Sequence, residues 1–131
     1  MGYRSDVVYG ILCNTPERKK EFVAMCKLNS QFKMALEELE DVYTDTPYIW
    51  GQFNFVKWYS DYDDVACHEA LLKHIEDDEV PGVSARLVRV GEEEDDVDDI
   101  YYEGGDDAPD PVQIDIYPQT HTEIVNHLAR D

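Results

Sequence analysis

Apolar and polar positions alternate with changing period along the chain, and each change of period marks an element. SDVVYGILC, from Ser5 to Cys13, is a nearly unbroken apolar run rich in β-branched residues, which predicts a buried strand. It stops at Asn14-Thr15-Pro16, where Thr15 suits a helix cap and Pro16 the first helical position. In the segment that follows, Phe22, Met25, Cys26, Phe32, Leu36 and Leu39 recur at helical spacing, interrupted at Asn29. This pattern predicts one long amphipathic helix, bent near Asn29-Ser30. The aromatic runs VYTDTPYIW and GQFNFVKWY meet near Gly51 and predict a hairpin whose first arm, broken by Pro47, lies at an edge or in a loop. DDVACHEALLKHIE predicts a second helix with Val65, His68, Leu72 and Ile75 on one face, Leu71 beside them, and Asp61 to Asp64 as acidic caps. Pro81-Gly82 ends it. VSARLVRV reads as a strand, IYY as a short one, and VQIDIY as a third with Val112, Ile114 and Ile116 on one face. Thr120 to Ala129 predict a short final helix.

This order implies an α+β fold, a ferredoxin-like β-α-β-β-α-β sandwich with an antiparallel C-terminal strand extension. A chain of 131 residues with 43% apolar content suits a single domain over 1–131. Val7, Leu12, Phe22, Met25, Phe32, Leu36, Leu72, Ile75, Leu87, Val88, Ile114 and Ile116 are expected to form one core between the sheet and two helices.

Charge changes the picture. Thirty acidic and eleven basic side chains leave a net charge of −19, which repels itself and costs stability. Eleven carboxylates fall within Gly91 to Asp110 without one Lys or Arg: Glu92, Glu93, Glu94, Asp95, Asp96, Asp98, Asp99, Glu103, Asp106, Asp107 and Asp110. IYY inside this stretch and VQIDIY after it supply apolar anchors that a disordered tail lacks, so an acidic hairpin or loop is expected at 91–111. These eleven residues are the candidate partner-binding site. Nucleic acid and anionic membranes are poor partners for such a chain, since binding phosphate takes Lys and Arg. The better partner is the basic surface of another protein.

Two binding modes follow. In one, the folded carboxylates imitate nucleic-acid phosphates and occupy the basic groove of a nucleic-acid-binding protein. In the other, the acids only solubilise, and an aromatic surface around Tyr48, Trp50, Phe53, Phe55, Trp58 and Tyr59 makes a structural or assembly contact. Arg18, Lys19, Lys20, Lys27 and Lys33 form a basic helix face that either binds the acidic stretch, within the chain or in a homodimer, or is simply solvated.

Neither catalysis nor a cofactor is expected. DDVDD and GGDDAPD lack the ligand spacing of a calcium loop, so no metal is assigned. His68 and His74 are six residues apart and do not share a helix face, and the neighbours Cys67 and His68 diverge by about 100° on a helix. His68 reads as a satisfied core-edge residue, and Cys13, Cys26 and Cys67 as reduced core thiols. The amino-terminal apolar run is too short for a signal peptide and no segment approaches a membrane span, which implies a cytoplasmic protein. Asp6 stands where a myristoylation signal wants Ser or Thr.

The segments MGYRSDV, VKWYSDYDDVACH and LVRVGEEEDDVDD resemble those of a group of small acidic uncharacterised proteins encoded by tailed bacteriophages and prophages. The similarity runs to about Asp99. It implies a phage accessory protein made in the host bacterial cytoplasm, and it carries over no catalytic or binding residue.

Overall fold

A computed structural model of the chain describes residues 4–93 and 95–116. Strand β1 (Ser5–Cys13) leads into helix α1 (Pro16–Cys26), whose start is set as the sequence suggests: Thr15 Oγ1 accepts the Arg18 N–H at 3.0 Å, and Pro16 opens the first turn. The long helix expected from the apolar pattern is two. Asn29 does not tolerate a mid-helix position; its Oδ1 accepts the amides of Gln31 and Phe32 at 2.9 and 3.1 Å and starts a separate helix, α2 (Ser30–Leu36). Met25, expected in the core, therefore faces solvent with 65% of its surface exposed.

The hairpin expected around Gly51 is instead one continuous strand, β2 (Tyr48–Val56), with Gly51 paired to Tyr9 in its middle. Of its expected first arm, residues 42–47 form a loop, as the sequence allowed, and Tyr48 to Trp50 belong to the strand. Near its other end β2 carries one extra residue against β1, between the pairs Val7↔Phe53 and Ser5↔Val56. Phe55 takes a positive φ of 55°, and its amide donates to Asp6 Oδ1 at 2.7 Å. Helix α3 (Asp63–Asp77) follows. Tyr62 occupies its cap position without a side-chain bond, and Asp63 and Asp64 in the first turn complement the helix dipole. Val65, His68, Leu71, Leu72 and Ile75 are buried, as the spacing predicts.

Strand β3 (Val83–Gly91) is followed by Glu92, Glu93, Asp95 and Asp96 before β4 (Val97–Glu103), to which it pairs. The sheet order is β2-β1-β3-β4, antiparallel throughout. The fold is thus α+β, a four-stranded antiparallel sheet with three helices. Its element order, β-α-α-β-α-β-β, replaces the β-α-β-β-α-β of the ferredoxin-like expectation. What survives of that motif is a split β-α-β unit: β2 and β3 both run antiparallel to β1 between them, and α3 connects them.

Two cores form, not one. On the helix side Val7, Tyr9 and Ile11 of β1 meet Phe22, Leu36, Leu71, Leu72 and Ile75. On the opposite side Val8, Tyr48, Trp50 and Val88 are covered by Ile114 and Ile116. The segment VQIDIY is not the strand expected; Pro111–Gln113 makes one 3-10 turn, which leaves Val112 exposed and still buries Ile114 and Ile116. The helix expected over Thr120 to Ala129 lies outside the described residues. Among the described residues no helix is long and apolar enough to cross a membrane. Gly104 closes the end of β4: its amide donates to Val83 O at 3.0 Å, and a Cβ there would collide with the carbonyl oxygens of Val80 and Val83.

Candidate functional site

The acidic stretch is the turn and second strand of the β3–β4 hairpin, and its counter-charges come from the first strand. Arg86 and Arg89 stand three apart on β3, so they project from opposite sides of the sheet. On one side Arg86 clasps Asp99 through two bonds of 2.9 and 2.8 Å, donates to Ile114 O at 2.7 Å, and lies over the Tyr101 ring at 5.1 Å. On the other, Arg89 bonds Asp98 at 2.8 Å, Asp96 at 2.7 Å and Ser5 Oγ at 2.9 Å. The hydrogen bond from Arg86 holds the Asp99 carboxyl below its usual range.

Three of the eleven candidate residues, Asp96, Asp98 and Asp99, are therefore engaged in holding the hairpin together. Sequence reasoning looked for Lys and Arg inside the stretch and missed those across the ladder. The signal was there, since VSARLVRV and the acidic run are consecutive strands whose pairing sets Arg89 opposite Asp98. Glu92 accepts the Arg4 amide, and Asp110 Oδ1 accepts the Val112 amide at 3.0 Å, starting the 3-10 turn. Glu93, Asp95, Glu103, Asp106 and Asp107 are exposed around the hairpin and its exit. Two arginines do not offset this surplus. Nothing structural is said of Glu94, which lies outside the described residues.

A groove of about 590 Å³ runs between α3 and the hairpin. Trp58, Tyr59, Leu87, Ile100 and Tyr102 give it apolar walls, and Glu69, Glu93, Asp96 and Asp98, the last two paired with Arg89, give it a rim of net negative charge. Acidic and aromatic residues that the sequence separated into rival surfaces thus meet here. The rest of the aromatic surface is mostly interior: Trp50 is 2% exposed, with its Nε1–H donating to Asp41 Oδ2 at 2.8 Å, and Tyr48 is buried beside it. Phe53 lies against Trp58 with the rings tilted and their centroids 5.7 Å apart, and Phe55 alone of the six is openly exposed, under Arg4.

The basic face expected on the first helix also has work inside the molecule. The Arg18 Nε–H donates to Pro81 O at 2.6 Å, and Lys27 lies over Tyr43 at 4.3 Å. Lys19 is fully buried, its ammonium donating to Asp41 O, Thr44 Oγ1, Thr46 Oγ1 and Tyr48 O. It pins the loop before β2, where the sequence placed either an edge arm or a loop.

A second polar centre lies under β1. His68 is buried with Nδ1 2.6 Å from the Tyr9 hydroxyl and Nε2 2.7 Å from Glu38 Oε1. A neutral ring protonated on Nε2 satisfies both contacts, donating to Glu38 and accepting from Tyr9. Burial pulls the ring's pKa down, against the opposing pull of Glu38. Despite the divergence expected of sequence neighbours, Cys67 and His68 bring ligand atoms within 4.8 Å of each other and of Glu38. These three are the donor types a divalent transition metal takes, yet both ring nitrogens of His68 already have partners. Burial raises the Cys67 thiol pKa and pushes those of Cys13 and Cys26 up to about 12, which leaves all three thiols protonated and poorly nucleophilic at neutral pH.

No protein-family model, curated protein or solved structure matches this chain.

Proposed function

We propose that this chain is a binding protein that engages the basic surface of another protein through its acidic β3–β4 hairpin and competes there with nucleic acid. The observation that carries this reading is the exposed carboxylate surplus built on a folded hairpin: Glu92, Glu93 and Asp95 at the turn and Glu103, Asp106 and Asp107 at its exit, beyond the ion-paired Asp98 and Asp99 of β4. Strand residues rise about 3.4 Å each and successive side chains point to opposite faces, so one face of β4 presents an acid at most about every 7 Å, well short of the one charge per roughly 1.7 Å of duplex DNA. The mimicry is one of charge sign, not of spacing. Its attraction is long-ranged, fast and sensitive to salt. With the phage resemblance, the setting we propose is a host bacterial cytoplasm, and the target a defence nuclease, a recombination enzyme or a transcription enzyme. Binding, not catalysis, is the activity proposed, and the high thiol pKa values and the internally satisfied His68 support that choice.

The test follows from which acids the hairpin needs for itself. Asp96, Asp98 and Asp99 hold Arg86 and Arg89, so they are left intact, and Glu92→Gln, Glu93→Gln, Glu94→Gln and Asp95→Asn are combined. Wild type and variant are compared for capture of nucleic-acid-binding proteins from bacterial lysate and for displacement of labelled duplex DNA from each captured protein. Displacement by the wild type that falls steeply with salt, and is largely lost in the folded variant, is the expected result. Equal displacement by both would sink the proposal.

A further inference from the structure

We infer that the outer edge of β4 is a strand-addition site for an extended basic segment of a protein partner, a contact that rests on the reading above and specifies its geometry. Two hydrogen bonds bracket the β3–β4 ladder and set its phase. Gly91 N–H donates to Asp96 O at 2.7 Å at one end, and Gly104 N–H to Val83 O at 3.0 Å at the other. Bonded and non-bonded pairs alternate in an antiparallel ladder, so Asp98, Ile100 and Tyr102 turn their backbone groups toward β3. Val97, Asp99, Tyr101 and Glu103 turn theirs outward. β4 is last in the sheet order, and among the described residues nothing bonds the outward backbone groups of Asp99, Tyr101 and Glu103.

A strand laid along this edge would place alternate side chains over the groove. Ile100 and Tyr102 would lie beneath their stems, Trp58 alongside, and Glu69 at the rim near their tips. Lys and Arg have that form, an apolar stem with a cationic end, and the ladder of main-chain bonds supplies affinity that charge alone lacks. A second copy is a poor occupant, because pairing β4 with β4 would bring two sets of Asp98, Asp99 and Glu103 into one small ladder with no added cation.

The probe is a fluorescein-labelled decapeptide of alternating arginine and valine, titrated against the full chain at moderate salt and followed by anisotropy. Its control is the same peptide with every amide N-methylated, which keeps the charge and removes the strand donors. The methylated peptide should bind at least about tenfold more weakly, given a few main-chain bonds lost. The amides of Asp99, Tyr101 and Glu103 should gain protection from hydrogen exchange when the parent peptide binds. Tyr101→Pro removes one outward donor and no bond to β3, and should weaken binding of the parent peptide in the same direction. Equal binding of the two peptides overturns strand addition while leaving the acidic-surface reading intact, since that reading is scored by duplex displacement. A dimer that Tyr101→Pro dissociates, with no peptide bound by the wild type, assigns the edge to a second copy and also overturns the inference.

Discussion

Lys19 and His68 show how far a single side chain's role depends on what surrounds it. Lys19 occupies the position that precedes Phe22, Val23 and Cys26 by three, four and seven residues, the core-facing stripe of α1. That spacing was readable, yet a lysine among lysines reads as solvated. Buried, it gives Asp41 O, Thr46 Oγ1 and Tyr48 O a cationic donor at 2.5, 3.1 and 3.3 Å, and burial draws its pKa down. Lys19→Met should keep the stem and strand these oxygens, lowering stability by about 3 kcal/mol in urea denaturation. For His68 the ring pKa is lower in the folded chain than in the unfolded one, so the unfolded state takes up its proton first as pH falls. Stability should therefore decline between pH 7.5 and 5.5, on passing about 6.5. A urea midpoint that drops over this interval in the wild type and drops less in His68→Gln is the expected result.

Among the elements, those legible from sequence have one periodicity from end to end. β1, α3 and β3 each combine an unbroken pattern with a stop signal, and their burial follows it. Elements that were misread contain a residue with two readings. Asn29 either bends one helix or caps the next, and its side-chain oxygen satisfies two amides only as a cap. Gly51 is a turn residue by propensity but sits mid-strand, where a side chain would meet Leu39. In VQIDIY alternation predicts a strand with Val112, Ile114 and Ile116 equivalent; Pro111 instead starts a turn, and only the latter two reach the core. Ile114→Ala should thus cost on the order of 2–5 kcal/mol, whereas Val112→Ala, at a 65% exposed position, should cost little. Similar losses in both variants, measured by chemical denaturation, would refute this placement. The candidate site was half legible: its acids are conspicuous in the sequence, but their partition between Arg86, Arg89 and solvent depends on strand register.

At the scale of the whole molecule, a net charge of −19 surrounds a sheet with apolar clusters on both faces. Among the described residues Arg4, Arg18, Lys19, Lys27, Arg86 and Arg89 all make contacts within the chain, so they are poorly placed to shield the surface acids at large. The folded state concentrates this repulsion relative to the expanded chain. Raising salt from 0.01 to 0.15 M shortens the screening length from about 30 to about 8 Å, and the melting temperature should rise with it. A melting temperature that is flat or falling across this series would mean that local ion pairs outweigh the general repulsion.

The place of β1 in the sheet bears on how the chain is made. Of the described strands it leaves the ribosome first, yet its two neighbours, β2 and β3, begin at Tyr48 and Val83. During synthesis its most apolar stretch therefore waits with one edge uncovered until α3 has been completed and β3 emerges. A nascent chain halted between β2 and β3 would present that bare edge to whatever chaperone or stray strand it met, and release from this hazard comes with the same β3 arginines that later anchor the acidic hairpin.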